Sequence, residues 1–131
     1  MRSILVAVLM LAGTFHANAA CNESLLEITA WNIQAIDADT NELSYSIRSN
    51  AAKDIRMIDG QLGFRDALGG RIGPLQIERD TVIPAGGTFT DKGLWGRYTF
   101  ERLLRLKKEE VEPYTCIRAV LYEDGTKETF D

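Results

Sequence analysis

Asp37, Asp39 and Asn41 stand at alternate positions in the stretch IDADTNEL, and oxygen ligands spaced this way open the loop of a calcium-binding EF-hand. The rest of that loop is not there. A loop starting at Asp37 needs Gly at its sixth position and a bidentate Glu at its twelfth; these positions hold Glu42 and Arg48. Leu43, Tyr45 and Ile47 then alternate with Ser44, Ser46 and Arg48 as in a strand, where an ion-binding loop would have to curl into a helix. The stretch reads as a turn, since Asp and Asn hydrogen-bond their own backbone there. No metal or cofactor is expected.

Other chemistry-bearing patterns fare similarly. The single histidine is His16, so no Ser-His-Asp or Cys-His nucleophile and no His-containing zinc site can be assembled downstream of it. The glycines of GGRIG, Gly69 to Gly73, lack the Lys-Ser or Lys-Thr of a phosphate loop and precede a strand, so a turn is expected. Asp37 with Asp39, or Glu109 with Glu110, could act as paired acids only in a cleft, which a domain this small rarely supplies. No enzymatic activity is expected. The one basic cluster, RLLRLKK from Arg102 to Lys108, is bracketed by Glu101, Glu109, Glu110 and Glu112. Mixed charge marks a solvated face, with Arg102 and Arg105 kept as candidate contacts for an anionic partner. Trp31 and Trp95, with Tyr45, Tyr98 and Tyr114, could form an aromatic platform, although aromatics in a small β domain are more often core. Trp95, between Gly93 and Gly96, is expected in a loop and is the stronger candidate for an exposed anchor.

The chain opens MRSILVAVLMLAGTFHANAAC, with Arg2, an apolar run from Ile4 to Ala12, then small residues. This is the layout of a secretory signal peptide, too short to span a bilayer. Ala17-Asn18-Ala19 suits cleavage after Ala19, leaving a single domain over residues 20–131. The alternative is a lipoprotein acylated at Cys21, although Asn18 stands where a lipobox prefers Leu. Cys21 and Cys116 are the only cysteines, and an oxidising compartment would let them pair. With 15 Lys and Arg against 19 Asp and Glu, the net charge of −4 argues against nucleic acid. No later segment is apolar enough to cross a membrane.

Apolar residues recur mostly at a period of two, with Gly, Asn and Asp between the runs. Strands are predicted over residues 25–35, around Leu43 to Ile47, around Ile58 to Arg65, over 71–82 with Pro74 favouring an edge, and over 88–94. TCIRAVLYEDGTKETF reads as two strands joined by a type I′ turn at Asp124-Gly125. The stretch from Arg97 to Tyr114 fits both periodicities: Tyr98, Phe100, Leu104 and Leu106 share strand parity, whereas Phe100, Leu103, Leu104 and Val111 suit a helix face with a Glu101–Arg105 pair. A strand to about Leu106 is favoured, with a short helical turn near 106–112 ended by Pro113. About seven short strands make an all-β, immunoglobulin or fibronectin-III-like sandwich the expected fold.

From Leu43 to Phe89 the chain resembles the small extracytoplasmic immunoglobulin-like domains of bacteria, including the FxLYD type, on Asn50, Asp66, Gly69, Pro84, Gly86 and Phe89. Ala85 and a second Gly depart from the pattern, and no F-x-L-Y-D string is present. The resemblance implies a periplasmic or secreted envelope domain without catalysis and carries over no site residue. The expected function is thus an exported, non-catalytic domain that binds a protein partner or serves as a structural accessory of the envelope. A small secreted hydrolase inhibitor, or a carbohydrate or small-ligand module using Trp31 or Trp95, are the alternatives.

Overall fold

The computed structural model describes residues 21–130; the signal peptide expected over residues 1–19 lies outside the described residues. Seven antiparallel strands form two sheets. Strands β1 (Leu26–Ala35), β2 (Thr40–Ser49) and β5 (Thr88–Gly96) make a three-stranded sheet in the order β1-β2-β5. Strands β3 (Ile55–Asp66), β4 (Arg71–Gln76), β6 (Val111–Tyr122) and β7 (Lys127–Thr129) make a four-stranded sheet in the order β4-β3-β6-β7. This is the expected all-β sandwich, and the reason is visible in the alternation. Leu43, Tyr45 and Ile47 of β2 and Ile58, Leu62 and Phe64 of β3 turn inward and are buried between the sheets. Each such side chain removed from water is worth about 1.5–3 kcal/mol.

Three connections cross between the sheets, and the third overturns an expectation. Residues 97–106 do not form a strand: a turn leads into a one-turn helix, α1 (Glu101–Arg105), and a 3-10 turn follows at Lys108–Glu110. Strand parity would bury Tyr98 and Leu104 with Phe100, but both are exposed; Phe100 is buried together with Leu103, three residues on. A segment leaving the edge of one sheet for the centre of the other has no neighbouring strand to satisfy its backbone, and a helical turn satisfies its own. Phe100 stands at positive φ (59°) just before α1 and reverses the chain there.

Smaller corrections follow from the same backbone accounting. The fourth strand ends at Gln76 rather than at residue 82, yet the chain stays beside β3: Ile77 N–H donates to Gly60 O (3.0 Å), and Ile58 N–H to Arg79 O (2.8 Å). Pro74 does lie on a sheet edge, where no ladder donor is required. Strand β6 begins at Val111, earlier than expected, so Pro113 falls inside it. Ile117 exchanges both main-chain bonds with Asn22 (2.8 and 2.9 Å); by alternation Pro113, four residues earlier, also turns its missing donor away from β3. The β6–β7 turn is not type I′. Tyr122 O accepts from Gly125 N–H (3.0 Å) and Tyr122 N–H donates to Thr126 O (2.9 Å), a three-residue loop in which Gly125 alone takes positive φ (83°). The Asp124 carboxylate holds it by accepting from Thr126 N–H (2.9 Å).

The two flanks of the sandwich differ. On the flank where β1 faces β6, Cys21 and Cys116 form a disulfide with Cα atoms 5.1 Å apart, closing a loop with a sequence separation of 95. The buried Thr115 hydroxyl donates to Leu26 O (2.6 Å) beside it. A disulfide-bonded Cys21 offers no thiol to a lipid. On the opposite flank β4 and β5 face each other with no ladder between them.

Candidate functional site

Strand directions bring three connections to one end of the sandwich: the β1–β2 loop at 36–39, the β3–β4 turn at 67–70 and the β5–β6 connection at 97–110. Polar side chains of the core fix them. Asn41, buried in β2, donates its amide to Arg97 O (3.0 Å) and Thr99 O (3.1 Å), holding the third connection against the first hairpin. The aspartates before it make a turn, as expected: Asp39 N–H donates to the Asp37 carboxylate (2.8 Å) and Ile36 N–H to Thr40 O (2.9 Å). Asp66 anchors the second loop, accepting from Leu68 N–H (2.9 Å), Gly70 N–H (2.8 Å) and the Arg102 guanidinium (2.9 Å). The bonds from Gly70, Arg102 and Leu68 all hold its carboxyl below the usual carboxylate range. Of the GGRIG amides, that of Gly70 thus meets a carboxylate already built into the turn.

The basic cluster is divided by the fold. Arg102 is committed to Asp66, and Arg105 lies 3.9 Å from Glu101 in an exposed i,i+4 pair. Lys108 donates to Trp31 O with its ammonium 4.6 Å from the centre of the Trp31 ring. The aromatic platform is not assembled either. Trp31, Phe64, Phe100 and Trp95 form a chain of tilted and edge-on contacts between the sheets, with ring centres 5.1, 6.3 and 5.5 Å apart in that order. Trp95 closes strand β5 rather than sitting in a loop, and its indole is partly buried against Phe100. Trp31 is contacted by Lys108 and by Phe64. Tyr45 is core, and Tyr114 stacks under Arg65, whose guanidinium carbon lies 4.0 Å from its ring centre.

What this end does expose is apolar. Leu68 at the tip of the β3–β4 turn is 97% accessible, Tyr98 75%, Leu94 66%, Ile36 49% and Leu104 40%. The Arg97 guanidinium lies over Tyr98 at 4.9 Å. Of these residues, sequence reasoning had singled out only Tyr98, as part of the platform. Leu68 had a local signal, a large apolar side chain between Ala67 and Gly69 in a turn.

A concavity lies on the open flank. Tyr45, Leu75, Gln76, Glu78, Asp91, Gly93 and Trp95 line a hollow of about 100 Å³ between the edges of β4 and β5. The Tyr45 hydroxyl donates to Asp91 Oδ2 (3.4 Å). Burial, followed by the Asp91 charge, pushes the Tyr45 phenol up to about 12. Trp95 Nε1–H is buried without a hydrogen-bond partner. It stands 3.2 Å from where a side-chain carbon at Gly93 would be, so the missing side chain helps to make this space. Gly inside a strand pattern is the sequence signal of such a close approach, but Tyr45, Leu75 and Gln76, which complete the hollow, come from two other strands.

Among the described residues no helix is long and apolar enough to cross a membrane, and no group of three or more His, Cys, Asp or Glu side chains is placed to hold a metal ion. Comparison with known proteins finds no matching family model, no matching curated protein and no matching solved structure. The class is therefore set by the architecture: an all-β, two-sheet antiparallel sandwich carrying one disulfide.

Proposed function

We propose that this chain is an exported, non-catalytic protein-binding domain of the bacterial cell envelope, of the small extracytoplasmic immunoglobulin-like kind. The observation that carries the reading is the loop end. Ile36, Leu68, Leu94, Tyr98 and Leu104 come from four separate segments and leave their apolar surface in water at one end of the molecule. Only one other large apolar side chain among the described residues, Val82, is exposed. Such clustering against a polar background marks a contact surface, and loops held by a rigid sandwich are where binding residues gather. The disulfide supports an oxidising compartment, and the leader-like first 19 residues support export. A tyrosine with an arginine over its ring is the kind of anchor that dominates protein interfaces.

The test is photo-crosslinking in intact cells, with the reactive side chain placed in turn at Leu68, at Tyr98 and, as the control, at Arg48 on the outer face of the three-stranded sheet. A discrete protein adduct from Leu68 and Tyr98 in the envelope fraction, absent from Arg48, is expected. Absence of any adduct from the two loop positions, or recovery of the protein in the cytosol, would overturn the reading.

A further inference from the structure

The outer edge of β5 is unpaired. Ser49 N–H donates to Gly87 O (2.8 Å), and this pair continues the register in which Arg48 faces Thr88 and Thr40 faces Gly96. In an antiparallel ladder the main-chain groups of successive residues point alternately to the two sides. Phe89, Asp91, Gly93 and Trp95 are therefore bonded toward β2, and Thr90, Lys92 and Leu94 turn their N–H and C=O groups outward. Among the described residues no strand pairs with that side.

The other edges are guarded, each by its own means. Strand β4 carries Pro74 and a register shift between Leu62 and Phe64 of its partner. The uncovered part of β6 carries Pro113. Strand β1 is bulged between Ile28 and Ala30, and its Trp31 carbonyl is taken by Lys108. Strand β7 is three residues long. Strand β5 runs nine residues in unbroken register without proline. Its guard is lighter: the Asp91 carboxylate covers Lys92 N–H (2.8 Å), a bond an incoming carbonyl can replace. An inward-facing charge of this kind discourages indiscriminate strand pairing while leaving the edge accessible.

We propose that the β5 edge and the hollow behind it bind an extended segment of a partner polypeptide by strand addition, with an asparagine or glutamine side chain of that segment entering the hollow. The spacing selects the occupant. Thr90, Lys92 and Leu94 present main-chain groups about 6.8 Å apart, the two-residue repeat of another strand, which a sugar or a compact small molecule does not have. The hollow selects the side chain. Trp95 Nε1–H lacks an acceptor and Asp91 and Glu78 are acceptors, so a primary amide answers both, giving its oxygen to the indole and its NH₂ to a carboxylate. Main-chain bonds would supply affinity and the hollow selectivity, as in other strand-addition complexes. This surface adjoins the loop end of the proposed function at Leu94 and otherwise uses different residues.

The test uses a phage-displayed library of linear nine-residue peptides selected against the purified, disulfide-bonded protein, with ¹H–¹⁵N spectra as the readout. Selected peptides should be enriched in Asn or Gln among β-forming residues. They should shift the amides of Thr90, Lys92 and Leu94 together with the Trp95 indole N–H. Thr90→Pro removes an outward donor without touching the ladder to β2 and should weaken binding by about tenfold or more. Gly93→Ser, which keeps every main-chain group and fills the hollow, should do the same and serves where the proline variant fails to fold. Failure to select any binder, or peptides that bind both variants unchanged, overturns the proposal. Peptides that instead shift Ile36, Leu68 and Tyr98 would also overturn it while leaving the loop-end reading standing.

Discussion

The two flanks of this sandwich solve the same problem in opposite ways. Where β1 meets β6, the sheets are joined by the Cys21–Cys116 bond, the Asn22–Ile117 pair and the Thr115 hydroxyl. Where β4 meets β5, there is a hollow, an unpartnered indole N–H and a glycine in place of a side chain. A fold can leave one seam loose only if the rest holds it. The long-range bond and the buried hydroxyl hold the two sheets together on the side away from that seam. A buried, unsatisfied group costs stability, and the one found among the described residues, Trp95 Nε1–H, lies on the open flank, away from the surfaces that hold the molecule together.

The comparison breaks most sharply at the disulfide. Replacing Cys21 and Cys116 together by Ser should lower stability by about 4–5 kcal/mol from loop-closure entropy alone, read as a fall in the urea midpoint; a loss under about 1 kcal/mol would show that the clamp is redundant. Next in size is Thr115→Val, which keeps the shape and leaves the Leu26 carbonyl without its donor. About 1–3 kcal/mol should be lost, and an unchanged midpoint would mean that water or the backbone replaces the hydroxyl.

The smallest effect belongs to the open flank and appears in alkali. Burial and the Asp91 charge raise the Tyr45 phenol, and burial with Glu128 raises Tyr122, both to about 12 from the ordinary 10. A proton held more tightly by the folded than by the unfolded chain stabilises fully below pH 10, and that contribution is lost as pH rises from 10 through about 12. Tyr45→Phe should flatten the fall in stability over this interval without abolishing it, since Tyr122 remains. A slope that Tyr45→Phe leaves untouched would show that the hollow is already open to solvent.

How much of this was legible follows from the range of each signal. Alternation is local, so Leu43, Tyr45 and Ile47 announced β2, and Ile58, Leu62 and Phe64 announced the inner face of β3. The disulfide was legible from compartment and count. The segment from Arg97 to Glu110 was not, because its residues satisfy both periods and the decision belongs to the sheets it must bridge. Trp95 was misplaced for a related reason: its flanking glycines suggested a loop, whereas Gly93 is small to leave room beside the indole inside a strand. The loop end and the hollow draw residues from segments far apart in the chain, and only register brings them together.

The separation between Cys21 and Cys116 also sets an order of events. A chain is made from its amino terminus, so the first thiol appears with no mate, and 95 positions must pass before the second. The bond between the two therefore cannot form until nearly the whole chain is present. Both sheets can be laid down before it closes, and it then locks an arrangement already reached.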